Sequence, residues 1–118
     1  MIPELDPVLF GKAFNYSMKG LKAAFKSERS FRQEIAAAVV LIPLALWLGK
    51  TGSDKALMIA SIMLVFIVEL VNTIAETLVE RISPEWNHLS GKAKDVGSAS
   101  VFIALINVVI VWALVLFG

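Results

Sequence analysis

Glu69, Asn72 and Glu76 interrupt an otherwise apolar stretch, residues 56–79, that is long enough to cross a membrane. An ionisable side chain at membrane depth costs roughly 2.5–3.5 kcal/mol on insertion scales, so two carboxylates and an amide in one span mark a functional site. Their spacing of i, i+3, i+7 puts all three on one helical face, and the next turn brings Glu80 onto it. The other faces, carrying Leu57, Met58, Ile62, Leu64, Phe66, Ile67 and Leu78, are expected to meet lipid or other helices. A carboxylate held out of water suits a general base. Carboxylates without cysteine or a histidine pair suit a hard cation, Mg²⁺ or Mn²⁺, whose shell is completed by water and phosphates. Lys94 and Asp95, further along the chain, add a cation that can neutralise phosphate charge. These groups permit phosphoryl transfer from a metal-bound nucleotide to a hydroxyl at the membrane surface. They equally permit a proton or cation pathway, and composition does not choose between the two.

The elements that position these groups follow from hydropathy and breakers. The chain has 118 residues, 58% of them hydrophobic, with a mean hydropathy of +0.77. A soluble domain is about 45–50% apolar, so the composition indicates an all-α membrane protein of a single domain, residues 1–118. Cysteine is absent, which excludes disulfides and thiolate metal sites. The net charge of +1 predicts no particular partner, and no nucleic acid is expected. Glu4, Asp6 and two prolines among the first ten residues argue against a signal peptide.

Four helices are expected. The first, about 8–27, carries Lys12, Lys19, Lys22 and Lys26 on one stripe and Phe10, Phe14, Leu21 and Phe25 roughly opposite, the pattern of an amphipathic helix lying on an anionic membrane surface. The second, about 30–49, is a span with Ser30 as N-cap and Gln33 completing a capping box. Glu34 should lie near its interface, Pro43 predicts a kink, and Trp47 suits the far interface. The third, about 53–82, carries the Glu69 face and stops at Ser83–Pro84. The fourth, about 90–117, is uncharged from Val96 to Phe117, with Trp112 near its far interface. Lys and Arg number nine in the N-terminal segment and second inter-span loop against two, Lys50 and Lys55, in the first. That bias predicts a cytoplasmic N-terminus, with Glu76 and Glu80 toward the cytoplasmic surface, where soluble nucleotides are available. No Walker A motif, kinase-type glycine loop or H-R-D occurs.

Phe31-Arg32-Gln33-Glu34, the stretch from Val68 to Glu76, and Ser90-Gly91-Lys92-Ala93-Lys94-Asp95-Val96-Gly97-Ser98-Ala99 resemble the small integral-membrane diacylglycerol kinases of bacteria. The likeness runs from about Lys12 to Gly118, and Tyr16-Ser17-x-Lys19-Gly20-Leu21 fits as well. The resemblance implies a homotrimeric helical bundle of three transmembrane helices per subunit plus the surface helix, with active sites shared between subunits. It implies Mg²⁺-dependent transfer of the ATP γ-phosphate to 1,2-diacylglycerol at the bacterial inner membrane, giving phosphatidic acid. By position it makes Glu69 the general base and Asn72 its support, and Glu28 and Glu76 the metal ligands. Tyr16, Glu28, Glu76, Glu85, Trp86, Asn87, Lys94 and Asp95 match ATP contacts, and Glu34, Trp47, Glu69, Ser98 and Trp112 match the lipid site. The chain departs from the enterobacterial branch at Leu9, where that branch has arginine, and at Asn87-His88, where it has histidine and an acidic residue. The rival readings are an undecaprenol kinase, a small proton-coupled transporter, and a structural or regulatory membrane peptide.

Overall fold

The computed structural model describes residues 7–118, so Glu4 and Asp6, used above against a signal peptide, lie outside the described residues. Four helices follow one another: α1 (Pro7–Ser27), α2 (Arg29–Leu48), α3 (Gly52–Ile82) and α4 (His88–Phe117). The last three are long and apolar enough to cross a membrane. At 1.5 Å per residue even the 20 residues of α2 reach about 30 Å, the thickness of a hydrocarbon core.

The junctions are built from local hydrogen bonds. α1 and α2 are separated by Glu28 alone, whose extended backbone (φ −110°, ψ 107°) breaks the helical path. Arg32 braces this corner: its Nη1 donates to the carbonyls of Phe25 (2.7 Å) and Lys26 (3.0 Å), which end α1 without helical partners. The capping box expected at Ser30 is therefore not the start of α2. Glu28 holds the cap position, without a side-chain cap bond, and Ser30 is already the second helical residue. α2 runs through Pro43 without interruption.

The α2–α3 turn is capped twice. Thr51 Oγ1 accepts from the Asp54 amide (3.0 Å), and Asp54 Oδ2 accepts from the Lys50 amide (3.3 Å). Gly49 is required here, because a β-carbon on it would stand 2.6 Å from Lys55 Cγ. At the other end Asn87 caps α4, its Oδ1 accepting from the Ser90 amide (2.9 Å) while its Nδ2 donates to Ser83 Oγ (2.6 Å). The loop is thus tied to itself across its whole width.

Packing places the site. The buried residues of α3 are Met58, Ser61, Ile62, Val65, Glu69 and Asn72. All but Ser61 follow the alternating four- and three-residue steps of a helix–helix seam. Met58 and Ile62 therefore share the face of Glu69 rather than lying on another side, since seven and eleven residues both return the helix to nearly the same direction. Phe31, Ala38 and Ala45 of α2, seven residues apart, form the facing stripe, and Phe31 meets Phe66 edge-to-face at 5.9 Å. α4 supplies the buried Ala104, and α3 packs most extensively against α4. α1 buries only Ala24.

Candidate active site

The seam of α3 changes chemistry partway along. Below Val65 it is apolar; then it carries Glu69, 3% exposed, and Asn72, 8% exposed. Glu76 follows at intermediate exposure and Glu80 is exposed. The four polar residues thus climb from a buried core to the helix end within three turns. Three carboxylates and one cation act on Glu76 from around it: Glu28, Glu80 and Glu69 with like charge, Lys94 with opposite charge.

A cleft of about 360 Å³ collects Glu28, Glu69, Asn72, Glu76 and Ser98, with Ser30 and the apolar Val101, Phe102 and Leu105. Glu28 enters it from the helix corner, where Ser27 Oγ donates to its Oε2 (3.3 Å). Ser98 and the apolar wall come from α4. Glu69 is held by a hydrogen bond from Ser30 Oγ to its Oε1 (3.1 Å), while its Oε2 has no partner. Asn72 Oδ1 and Glu34 Oε1 are likewise buried and unpaired. Glu34 reaches Glu69 from α2 and lines a smaller apolar cavity of about 60 Å³ with Ala38, Ile62 and Val65. The Glu34 and Glu69 carboxyls are within hydrogen-bonding reach of each other, whereas Asn72 Oδ1 has no donor, and a buried polar atom left alone costs about 1–3 kcal/mol.

A second cleft, about 370 Å³, lies past the end of the seam and is lined by Glu80, Ser83, Glu85, Trp86, Gly91 and Lys94 among others. Lys94 Nζ stands 3.8 Å from Glu80, both side chains well exposed. Asp95 lines a neighbouring cleft with Trp86, His88 and Lys92. Trp86 lines both clefts, packed against Gly91, whose missing side chain leaves it room: a β-carbon there would be 3.1 Å from Trp86 Nε1.

The expected site residues therefore separate into groups. Glu28, Glu69, Asn72, Glu76 and Ser98 share one cleft, Glu85, Trp86 and Lys94 a second, and Asp95 a third beside Trp86. Asn87 is engaged as a helix cap. Tyr16 is exposed on α1 with Lys19 Nζ 5.8 Å from its ring, outside these clefts. Trp47 is exposed near the end of α2. Trp112 donates from Nε1 to the Met58 carbonyl (3.2 Å), at the apolar end of the seam. Two roles escaped the sequence reading: that of Ser30, assigned to a cap by its spacing from Gln33, and that of Gly97, which with Gly91 suggested a backbone approach to phosphates from its place beside Lys94–Asp95 and instead makes room for Asn72.

Among the described residues no group of three or more Asp, Glu, His or Cys is clustered tightly enough to cage a metal ion. Glu28 and Glu76 nevertheless line one cleft, and two carboxylates are what Mg²⁺ takes when phosphates and water fill its remaining positions. The donor set fits that ion.

A helical membrane protein whose buried seam turns into a cleft of carboxylates and amide, opening beside a lysine-bearing pocket, has the parts of a membrane-embedded phosphotransferase. The family model of prokaryotic diacylglycerol kinase matches residues 15–116, and the chain belongs to that family. It is 55% identical over 102 residues to the diacylglycerol kinase of Haemophilus influenzae, covering 86% of each chain. To that of Escherichia coli it is 47% identical over 107 residues, 91% of this chain and 88% of the relative. The diacylglycerol kinase of Pseudomonas aeruginosa is 46% identical over 106 residues, covering 90% and 86%. The chain is thus an enzyme of the lipid-kinase class.

Proposed function

We propose that this chain transfers the γ-phosphoryl group of ATP to the free hydroxyl of 1,2-diacylglycerol, forming phosphatidic acid and ADP at the cytoplasmic face of the bacterial inner membrane. The observation that carries this reading is the single cleft holding buried Glu69 together with Asn72, Glu28 and Glu76. Glu69 accepts the lipid hydroxyl proton as that oxygen attacks phosphorus, and the bond to the ADP oxygen breaks. Asn72 supports the base from the next turn. Glu28 and Glu76 hold Mg²⁺, which when bound neutralises phosphate charge. Lys94 acts on the phosphates from the second cleft, with Glu85, Trp86 and Asp95 around the rest of the nucleotide. Catalysis is then mainly positioning and charge stabilisation, because phosphoryl transfer asks little covalent chemistry of the protein.

The buried Asn72 Oδ1 without a donor and the many exposed apolar side chains of the spans support a homotrimer in which a neighbouring subunit completes each site. The lysine stripe and phenylalanines of α1 support its lying on the anionic cytoplasmic surface, where it holds the lipid head close to the nucleotide. The test is transfer of radiolabelled γ-phosphate in mixed micelles offering diacylglycerol and undecaprenol separately, with wild type beside Glu69→Gln. Phosphatidic acid from the wild type and none from Glu69→Gln is expected. Strong preference for undecaprenol would overturn the substrate, and a fully active Glu69→Gln would remove Glu69 as base.

A further inference from the structure

We propose that Arg32 is a positioning residue for Glu28: by clasping the end of α1 it fixes the one-residue corner from which Glu28 meets Glu76. The proposal rests on the reading of Glu28 as a metal ligand.

Glu28 and Glu76 reach their common cleft from supports of unequal stiffness. Glu76 projects from within α3, a helix of 31 residues. Glu28 is the one residue between α1 and α2, with an extended backbone (φ −110°, ψ 107°) and no side-chain cap bond. Rotation about that single φ, ψ pair changes the angle between two rigid helices and carries the Glu28 side chain with it. Apolar packing of α1 does little to oppose the rotation, since Ala24 is its one buried residue.

Polar contacts close the corner instead. The Glu28 amide donates to the Ala24 carbonyl at 2.8 Å, and the Glu28 carbonyl accepts from the Arg32 amide at 3.2 Å. In a continuous helix the carbonyls of Phe25 and Lys26 would accept from the amides of residues 29 and 30. The break at Glu28 removes both donors, and Arg32 Nη1 donates to both carbonyls, at 2.7 and 3.0 Å. A guanidinium suits this place: it is always charged, and the last carbonyls of a helix carry partial negative charge. Arg32 thus holds Glu28 through its backbone and α1 through its side chain, gripping both sides of the corner. The grip matters because the Glu28 and Glu76 carboxylates repel each other when no cation lies between them. With the corner unbraced, Glu28 is the member free to move away, and the pair no longer waits at the separation a shared ion requires.

The experiment reads metal binding in two ways, with oligomer size and melting temperature checked in detergent for each variant. One is the Mg²⁺ concentration that half-saturates phosphoryl transfer. The other is Mn²⁺ affinity by electron paramagnetic resonance, with a non-hydrolysable ATP analogue present. Arg32→Ala is expected to weaken both metal constants about tenfold while the lipid KM stays within about twofold of wild type. Arg32→Lys restores a cationic donor to the same carbonyls and should recover most of the loss. Where Arg32→Ala does not assemble, Arg32→Gln is read in its place. Glu28→Gln should weaken metal binding by itself, and adding Arg32→Ala to it should weaken it no further. Unchanged metal constants in Arg32→Ala, beside a weakened Glu28→Gln, overturn the proposal and leave Glu28 as ligand. Additive losses in the double variant also overturn it, by showing that Arg32 acts on the metal independently of Glu28. If Glu28→Gln binds Mn²⁺ as wild type does, the ligand reading falls and takes this proposal with it.

Discussion

Gly97 of α4 is the floor on which Asn72 of α3 rests. A β-carbon at position 97 would collide with Asn72 Oδ1 and stand 3.0 Å from its Cγ. The close approach of two helices at a small residue is the usual way membrane helices bring their backbones together. Here it also gives the buried amide its place one turn from Glu69. Gly97→Ala is expected to push Asn72 out of position, lowering turnover and costing about 1–3 kcal/mol of stability. The double variant Gly97→Ala/Asn72→Ala removes the colliding atoms, so it should regain thermal stability in detergent while activity stays low. Recovery of activity in the double variant would show that the amide has no part in the site.

Asn87 separates capping from nucleotide contact. Its Oδ1 caps α4 and its Nδ2 ties to Ser83, so both ends of the amide are in use within the loop. Asn87→Ala should lower stability by about 1 kcal/mol through loss of the cap. Asn87→Asp keeps the capping oxygen and should retain most of that stability. If Asn87 also touches ATP, both variants raise the KM for Mg-ATP; if it acts only as a cap, neither does beyond about twofold. Melting curves and ATP titrations of the two variants read the two roles apart.

Much of this architecture was legible from the sequence. Apolar runs and the breakers Gly49, Gly52 and Ser83–Pro84 set the four helices within two residues of their ends, and the price of charge at membrane depth drew attention to Glu69 and Glu76. What escaped was the rotation of one helix against another. α4 is apolar on every side, so no stripe announces that Gly97 and Ala104 face α3. The bonds from Ser30 to Glu69 and from Trp112 to Met58 span 39 and 54 residues, beyond the reach of local periodicity. Ser30 shows the failure most clearly: the S-x-x-Q spacing offered a local cap, and the hydroxyl went to a distant carboxylate instead. Met58 and Ile62 were misplaced for a simpler reason, the neglect of seven- and eleven-residue returns on a long helix.

Trp112 is expected to matter for assembly of the bundle before catalysis. Its indole N–H bonds the Met58 carbonyl, which also accepts from Ser61 Oγ at 2.7 Å. Trp112→Phe removes one of the side-chain donors to that carbonyl and leaves the other, Ser61. Such bonds within membrane proteins average about 0.6 kcal/mol, so Trp112→Phe should lower thermal stability slightly while kcat and lipid KM hold. A raised lipid KM with unchanged stability would instead assign Trp112 to the lipid site.

Lys94 offers the sharpest separation of charge from fold. Its only ion pair among the described residues is with Glu80 at 3.8 Å, and both side chains are well exposed, 48% and 68%. Exposed pairs of this kind contribute about 0–1 kcal/mol, so Lys94→Met should leave the melting temperature nearly unchanged. The cleft that Lys94 lines with Glu85 and Trp86 is the one read here as receiving phosphate. A lost cation beside a polyphosphate should therefore raise the KM for Mg-ATP, about tenfold, without altering the KM for diacylglycerol. The wild-type KM for Mg-ATP should also rise with ionic strength more steeply than that of Lys94→Met, because the screened attraction is the one the variant has already lost. Parallel salt dependence in the two proteins, with equal KM values, would place the phosphates away from Lys94.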